Sequence, residues 1–400
     1  MRGMGRRLRA ALLRALSRTT SSGLFIAEID GLRFLAIFAV VAFHTHNAFF
    51  PAGPPVPHWG ASLKHVVSYI LHSGWFAVQL FFIITGFIVA LPFARHHLSG
   101  GPPVPLGRYL LRRLTRISPP YLISLAALVG VQMYVNGRDL PSLLPHFAAH
   151  AVYLHNVIYG DINSPGFVAI NHVLWTLEVQ IQFYLLAPLL CLVFAIRGGR
   201  WVRRAVIVAG IVAATLVLHY WWSPMLTSTL AGQVRWFLIG FLLADVYLTE
   251  WRGAPGTTVA WDVAGVIAWL SWPFILPNPI LSEWLMPAAL LVAYMAAFRG
   301  RLLNRFFANP WIAVVGGMCF TIFMYHVTMI WSIRRFLSAY VTGEERYNQL
   351  PWSLLQLLAV CATVALVCVP LFLLFEKPFM RWKRVRRPVD YTGDARSATR

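Results

Sequence analysis

The sequence predicts an all-α fold: a polytopic transmembrane helix bundle of about ten spans with both termini in the cytoplasm. Three observations carry that reading. First, 58% of the 400 residues are hydrophobic and 12% are charged, where an ordinary globular chain has about 25% charged residues. The mean hydropathy is +0.64. Second, the charges come at intervals. No Asp, Glu, Lys or Arg occurs in 65–94, 117–137, 179–196, 205–234, 263–282, 306–333 or 347–375. Each gap reaches or exceeds the ~18 apolar residues that suggest a membrane-spanning helix. Third, 34 Lys and Arg face only 14 Asp and Glu, for a net charge of +20. This composition excludes a soluble enzyme, a disordered chain and a disulfide-stapled secreted domain. The basic residues punctuate apolar runs, so a membrane surface accounts for them better than nucleic acid does.

Taken in order, residues 1–24 read as a basic amphipathic cytoplasmic segment. Leu8, Leu12, Leu13 and Leu16 recur at helical spacing beside Arg9, Arg14 and Arg18, a pattern that suits the inner leaflet. Those arginines also interrupt any continuous signal-peptide core. The spans are expected near 32–51, 68–92, 119–135, 174–196, 205–222, 234–250, 260–276, 284–298, 311–332 and 352–375, within one membrane domain covering 25–380. A basic cytoplasmic tail, 381–400, follows. With the N-terminus inside, 28 Lys and Arg fall on the cytoplasmic side. Only Lys64, Arg138, Arg235, Arg334, Arg335 and Arg346 fall outside, as the positive-inside rule requires. The longest outer loop, 136–173, contains Pro141, Pro145, Pro165 and Gly166 and is expected to be broken rather than one helix.

Ionisable residues at membrane depth are costly, by about 2.5–3.5 kcal/mol on insertion scales, so each is a functional candidate. The first span begins Asp30-Gly31-Leu32-Arg33 and reaches His44 eleven residues later. Three helical turns place Arg33 and His44 on one face, about 16 Å apart along the axis. Arg33 then lies near the cytoplasmic boundary and His44 toward the outer half. A snorkelling arginine and a packed core histidine are the alternative. The fourth span opens Trp175-Thr176-Leu177-Glu178-Val179-Gln180-Ile181-Gln182-Phe183-Tyr184. Glu178 enters at the depth assigned to His44, where a carboxylate can orient an imidazole or exchange its proton. A helix-packing hydrogen bond is the other reading. The inner segment before the third span carries Arg108, Arg112, Arg113 and Arg116. On a helix these form a stripe whose guanidinium groups suit phosphates, or they simply mark the cytoplasmic side. His326, on the ninth span beside Thr321 and Tyr325, is a second histidine of similar depth.

No metal site is expected. Cys191, Cys319, Cys361 and Cys368 lie in apolar stretches without ligand spacing. There is no Gly-rich phosphate loop, no His-Glu-x-x-His and no Gly-x-Ser-x-Gly elbow.

Six segments, in this order, resemble the acyltransferase type 3 membrane proteins, which include bacterial O-antigen and nodulation-factor acetyltransferases. They are Ile29 to His44 with its Arg-x10-His spacing, Gln79 to Phe87, Arg112 to Tyr121 with its Arg-x-x-Arg, Trp175 to Tyr184, Thr321 to His326, and Phe375 to Phe379. The chain departs from the pattern at Gln180, where many members have Glu, and at Cys319-Phe320, where a Ser-Tyr pair is common. The resemblance implies transfer of an acyl group, usually acetyl, from cytoplasmic acyl-CoA (the donor substrate; no metal) to a hydroxyl, commonly of a carbohydrate. It also implies a multi-pass protein of the bacterial inner membrane. Arg33, Arg113 and Arg116 are then expected to hold the coenzyme A phosphates. His44 is expected to serve as general base or transient acyl carrier, with Glu178 orienting it. Asp30, Gln180, Tyr184 and His326 are further candidates. The partners expected are the lipid bilayer, acyl-CoA and a carbohydrate or small-molecule acceptor, with no nucleic acid.

The rival reading is a proton- or solute-coupled transporter using the same polar residues. Such proteins often show inverted repeats and broken helix pairs, and neither is evident in the sequence. A catalytically inactive scaffold is the third possibility, with Gln180 its only hint.

Overall fold

The computed structural model describes residues 12, 13, 15–18, 25–49, 62–160, 170–251, 256–340 and 350–380. Most of the basic segment expected at 1–24, and the whole tail expected at 381–400, lie outside the described residues. Fourteen α-helices of seven or more residues organise what is described: α1 Ala27–Phe49, α2 Leu63–His72, α3 Val78–Ser99, α4 Leu106–Asn136, α5 Leu140–Ala151, α6 Trp175–Leu190 and α7 Gly199–Tyr220. They continue with α8 Leu230–Thr249, α9 Val259–Ile275, α10 Pro279–Arg299, α11 Arg301–Phe307, α12 Pro310–Gly317, α13 Cys319–Tyr340 and α14 Leu350–Leu371. No strand occurs among the described residues.

Seven helical stretches are long and apolar enough to cross a bilayer, or eight if α12 and α13, bent by 67° at their junction, count as one span. The sequence led us to expect ten. The difference has identifiable causes. α1 is 23 residues long but opens with Glu28, Asp30 and Arg33, which dilute its apolar character. α9 has only 17 residues, near the lower limit for a ~30 Å hydrocarbon core. The expected ninth span is the bent pair. The 136–173 segment is broken, but not at Pro145, which lies inside α5: α4 stops at Gly137, whose φ of +65° caps it. Asp139 then starts α5 by accepting from the Ser142 amide at 3.0 Å.

Close helix contacts rest on small residues, as they do where the bilayer supplies no hydrophobic drive between helices. α3 and α8 cross at Gly86 and Gly240. A Cβ on Gly86 would meet the Phe237 carbonyl, and one on Gly240 would meet the backbone of Ile83 and Phe87. α1 packs against α12, where a Cβ on Gly316 would run into the Asp30 carbonyl. At the end of the bundle where α7 begins and α8 finishes, buried Asp245 pairs with Arg203 and, at 2.8 Å, with Arg204. α1 also packs against α3 and α13, and α6 against α3 and α4, so these five helices surround one interior where the polar groups collect.

Candidate active site

The first cluster lies at the charged end of α1. Asp30, fully buried, accepts from Arg33 Nη1 at 2.5 Å and from Arg18 Nε at 2.7 Å. One carboxylate thus fixes two guanidinium groups that would otherwise repel. Arg33 and Arg18 share the lining of a cavity of about 490 Å³ with Arg95, Arg108, Arg112, Arg113 and Arg116. No carboxylate lines it among the described residues. The arginine stripe is helical as expected, since α4 runs unbroken from Leu106 through Pro119 and Pro120. Within the stripe the positions differ: Arg108 and Arg112 are exposed, while Arg113 and Arg116 are partly buried. The Arg113 guanidinium sits 5.3 Å from the Tyr184 ring and 5.8 Å from the Tyr109 ring. Such cation–π contact fixes the group without neutralising it.

Arg33, Arg113 and Arg116 also line a second, narrower cavity of about 110 Å³ farther into the bundle. Here they meet Thr85, Gln180, Tyr184, Cys319 and Glu376. Gln180 Nε2 donates to Thr85 Oγ1 at 2.8 Å and to the Tyr184 hydroxyl at 2.9 Å. Glu376 was not a candidate in the sequence, yet it is a buried carboxylate facing three arginines. It accepts from the Thr321 hydroxyl at 2.6 Å and the Thr321 amide at 3.2 Å. It ends a one-turn π-helix, Phe372–Glu376, and such bulges are frequent at functional sites. The available signals were its place as the first charge after the apolar run 347–375 and its position in the Phe375–Phe379 segment.

A third cavity, of about 520 Å³, takes in His44. Thr176 lines both it and the narrow one. Three imidazoles gather there: the His44 ring centroid is 5.0 Å from that of His326 and 5.2 Å from that of His172. His326 is fully buried. Its Nδ1 donates to the carbonyls of Phe323, at 2.8 Å, and Ile322, at 3.1 Å. A carbonyl can only accept, so the Nδ1 proton is in place. The neutral ring then carries its lone pair on Nε2. His172 was not singled out in the sequence. It stands in the loop before α6, and only tertiary contact brings it to α1. Burial lowers the pKa of its imidazole below the ordinary value, which keeps it neutral.

Glu178 differs from the expected arrangement. Its carboxylate accepts from His150 Nδ1 at 2.6 Å and from the Asn156 amide at 2.7 Å. The ring contacts of His44 are with Phe43, His172 and His326. Helical geometry explains the separation. Thr176, Gln180 and Tyr184 repeat every four residues along the face that lines the narrow cavity. Glu178 is two residues from Thr176 and from Gln180, about 200° around the axis. It stands two residues from Thr176, which lines the His44 cavity, but its face is the opposite one. On that face a histidine chain fills the outer loop. His150 stacks on His155 with centroids 3.8 Å apart, and His155 Nε2 bonds His146 Nδ1 at 2.9 Å.

This bundle of long apolar helices has arginines at one end of its interior and histidines at the other, and the family it matches makes it an acyltransferase. The chain belongs to the family described as "Acyltransferase domain" (Acyl_transf_3), whose model matches residues 26–373. It is similar to the peptidoglycan O-acetyltransferase OatA of Listeria monocytogenes, 26% identical over 53% of this chain and 31% of that protein. It resembles nodulation protein 10 of Rhizobium leguminosarum at 24% identity, covering 60% of this chain and 67% of the relative. The acyltransferase MdmB of Streptomyces mycarofaciens aligns nearly end to end, at 25% identity over 92% of this chain and 95% of the relative. The chain therefore spans about a third of the length of the peptidoglycan enzyme. No solved structure matches it.

Proposed function

We propose that this protein transfers an acyl group, acetyl being the one named in several relatives, from cytoplasmic acyl-CoA to a hydroxyl of a carbohydrate or another envelope or exported acceptor, in a bacterial inner membrane. The observation that carries the reading is the sequence of three cavities that share residues. The arginine-lined one adjoins the narrow one through Arg33, Arg113 and Arg116, and the narrow one adjoins the His44 cavity through Thr176.

Each part answers a chemical need. Coenzyme A is polyanionic, and bidentate guanidinium–phosphate contacts are strong and geometrically selective. Arg33 and Arg113 are held, by Asp30 and by two tyrosine rings, before any phosphate arrives. The narrow passage beyond them, with Phe81, Phe82, Ile84 and Phe323 beside Thr85 and Gln180, suits a pantetheine arm, which has both methylene groups and amides. At its far end the acceptor oxygen attacks the thioester carbonyl carbon. The carbon–sulfur bond breaks, the ester bond forms, and the hydroxyl proton moves to His44 and from there to the departing sulfur. A positioned base contributes about 10²–10⁴-fold. His326, with Nδ1–H committed to backbone carbonyls, offers only an acceptor nitrogen to the site, so it can take a proton but not compete as a donor. Glu178 acts at a distance, by tying the end of α5 at His150 and the segment at Asn156 to α6.

The test is acyl transfer by the purified protein in lipid nanodiscs, with radiolabelled acetyl-CoA and a panel of sugar acceptors. Donor-dependent labelling of acceptor that is lost in His44→Gln supports the reading. A protein that binds no acyl-CoA and labels no acceptor overturns it.

A further inference from the structure

The His44 cavity holds a second polar group that acyl transfer does not use. Arg235, on α8, lines it and is 7% exposed. Its Nε and Nη1 have no hydrogen-bond partner. The Trp236 ring lies 4.6 Å from its guanidinium carbon and fixes its position. Two amides share the cavity in the same condition: Gln79 and Gln233 are 7% and 6% exposed, and the Oε1 of each is unpartnered. Gln233 is held by its other end, where Nε2 donates to the Thr227 carbonyl at 2.5 Å. Buried polar groups in folded proteins are almost always satisfied, so several unsatisfied groups facing one space call for a ligand or ordered water. The rest of the lining includes Trp75, Trp175 and Trp222, flat apolar faces against which a sugar ring can stack.

The unmet groups specify a ligand. The two amide oxygens need hydrogen-bond donors, which hydroxyl groups supply. The guanidinium needs acceptor oxygens and, being a buried cation, a negative charge. Glu283 lies in the same lining and attracts Arg235 across it, but its Oε2 is taken by His219 Nδ1 at 2.8 Å and the two form no ion pair, so Nε and Nη1 of the guanidinium stay unpartnered. We infer that this cavity binds the acceptor and selects a sugar bearing an anionic group, carboxylate or phosphate, with Arg235 as its anchor and Gln79 and Gln233 reading its hydroxyls. The inference rests on the acyl-transfer reading only for the role of His44. Arg235 is a specificity residue, since it meets the acceptor and not the reacting atoms.

Binding can be read without catalysis, because three tryptophans line the cavity. The protein in nanodiscs is titrated with glucuronate, glucose 1-phosphate and glucose, following tryptophan fluorescence. The expected result is at least tenfold tighter binding of one or both charged sugars than of glucose. The stronger of the two identifies carboxylate or phosphate as the preferred group. Arg235→Gln removes that preference and leaves glucose binding within about threefold, while Arg235→Lys retains part of it. The variants must keep the wild-type melting temperature and acetyl-CoA affinity. Should Arg235→Gln fail to fold, Arg235→Lys decides instead: without the bidentate fork its preference for the charged sugar falls while glucose binding does not. Equal affinities, a charge preference that survives Arg235→Gln, or no quenching by any sugar overturns the inference. Acyl transfer that fails while the charge preference holds counts against the proposed function alone.

Discussion

Arg33 and His44 stand eleven residues apart on one helix, share a face, and line different cavities. Three turns of helix separate a fixed guanidinium from an imidazole by about 16 Å. That span slightly exceeds the ~15 Å half-thickness of a bilayer's hydrocarbon core. A single rigid element therefore sets the distance between the two ends of the proposed donor path. α1 is held against movement by the backbone contact of Asp30 with Gly316 and by the bridge from Asp30 to Arg18 and Arg33.

His44→Ala and His44→Gln should each lower acyl transfer at least ~100-fold, the low end for a lost general base, with donor affinity unchanged. Gln keeps a hydrogen bond but has no useful proton affinity. Because the His326 ring lies 5.0 Å from that of His44, His326→Gln should also slow turnover, though by less. If His44→Gln keeps near wild-type turnover while His326→Gln is inactive, the base is on α13 and the assignment to α1 is wrong.

Arg113→Ala and Arg116→Ala should weaken acyl-CoA binding at least tenfold, measured by equilibrium binding in nanodiscs, without lowering the melting temperature by more than a few degrees. Lys should restore only part of the loss, because a point charge lacks the bidentate fork. Unchanged affinity in both Ala variants would reduce these residues to topological anchors.

Glu178→Gln should act on stability first. The carboxylate accepts two hydrogen bonds in a fully buried setting. An amide preserves the shape but turns an NH2 toward one of the two donors, at a cost of roughly 1–3 kcal/mol. A lowered melting temperature with kcat reduced only severalfold is expected. A hundredfold loss of kcat in a variant of normal stability would place Glu178 in the chemistry.

Stability should fall as the solution is acidified from pH 7 to pH 5. Burial pushes the pKa of His150 and His155, outside the candidate spans, down to about 3, while both titrate near ~6.5 when unfolded. Below ~6.5 the unfolded chain therefore takes up protons that the folded chain refuses. Each such imidazole lowers stability by up to ~1.4 kcal/mol per pH unit until the folded value is reached. A melting temperature flat across that range, or a slope unchanged in the double variant His150→Gln, His155→Gln, would mean that these rings are charged in the folded state.

Topology gives a separate check. Reporter fusions at Gly198 and Arg301 should read cytoplasmic and one at Gly137 should not, given the 28-to-6 division of Lys and Arg. A reversed pair would invert every assignment of inner and outer cavity.

Much of this protein is legible without coordinates, because the signals are local. Charge-free runs mark the helices, since a chain in lipid must satisfy its own backbone bonds. The Arg33–His44 spacing is a property of one helix, and the arginine stripe from Arg108 to Arg116 is a property of one helix surface. Tertiary structure alone decided what crosses between helices. It put His172 and His326 beside His44, brought Glu376 from the last span to the arginines, and left Arg235, Gln79 and Gln233 facing one cavity. It also turned Glu178 away. Depth in the membrane follows from position along a helix, but rotation about the helix axis is set by packing against neighbours. Two residues of sequence, about 200° of rotation, separate Glu178 in its loop network from Gln180 in the cavity.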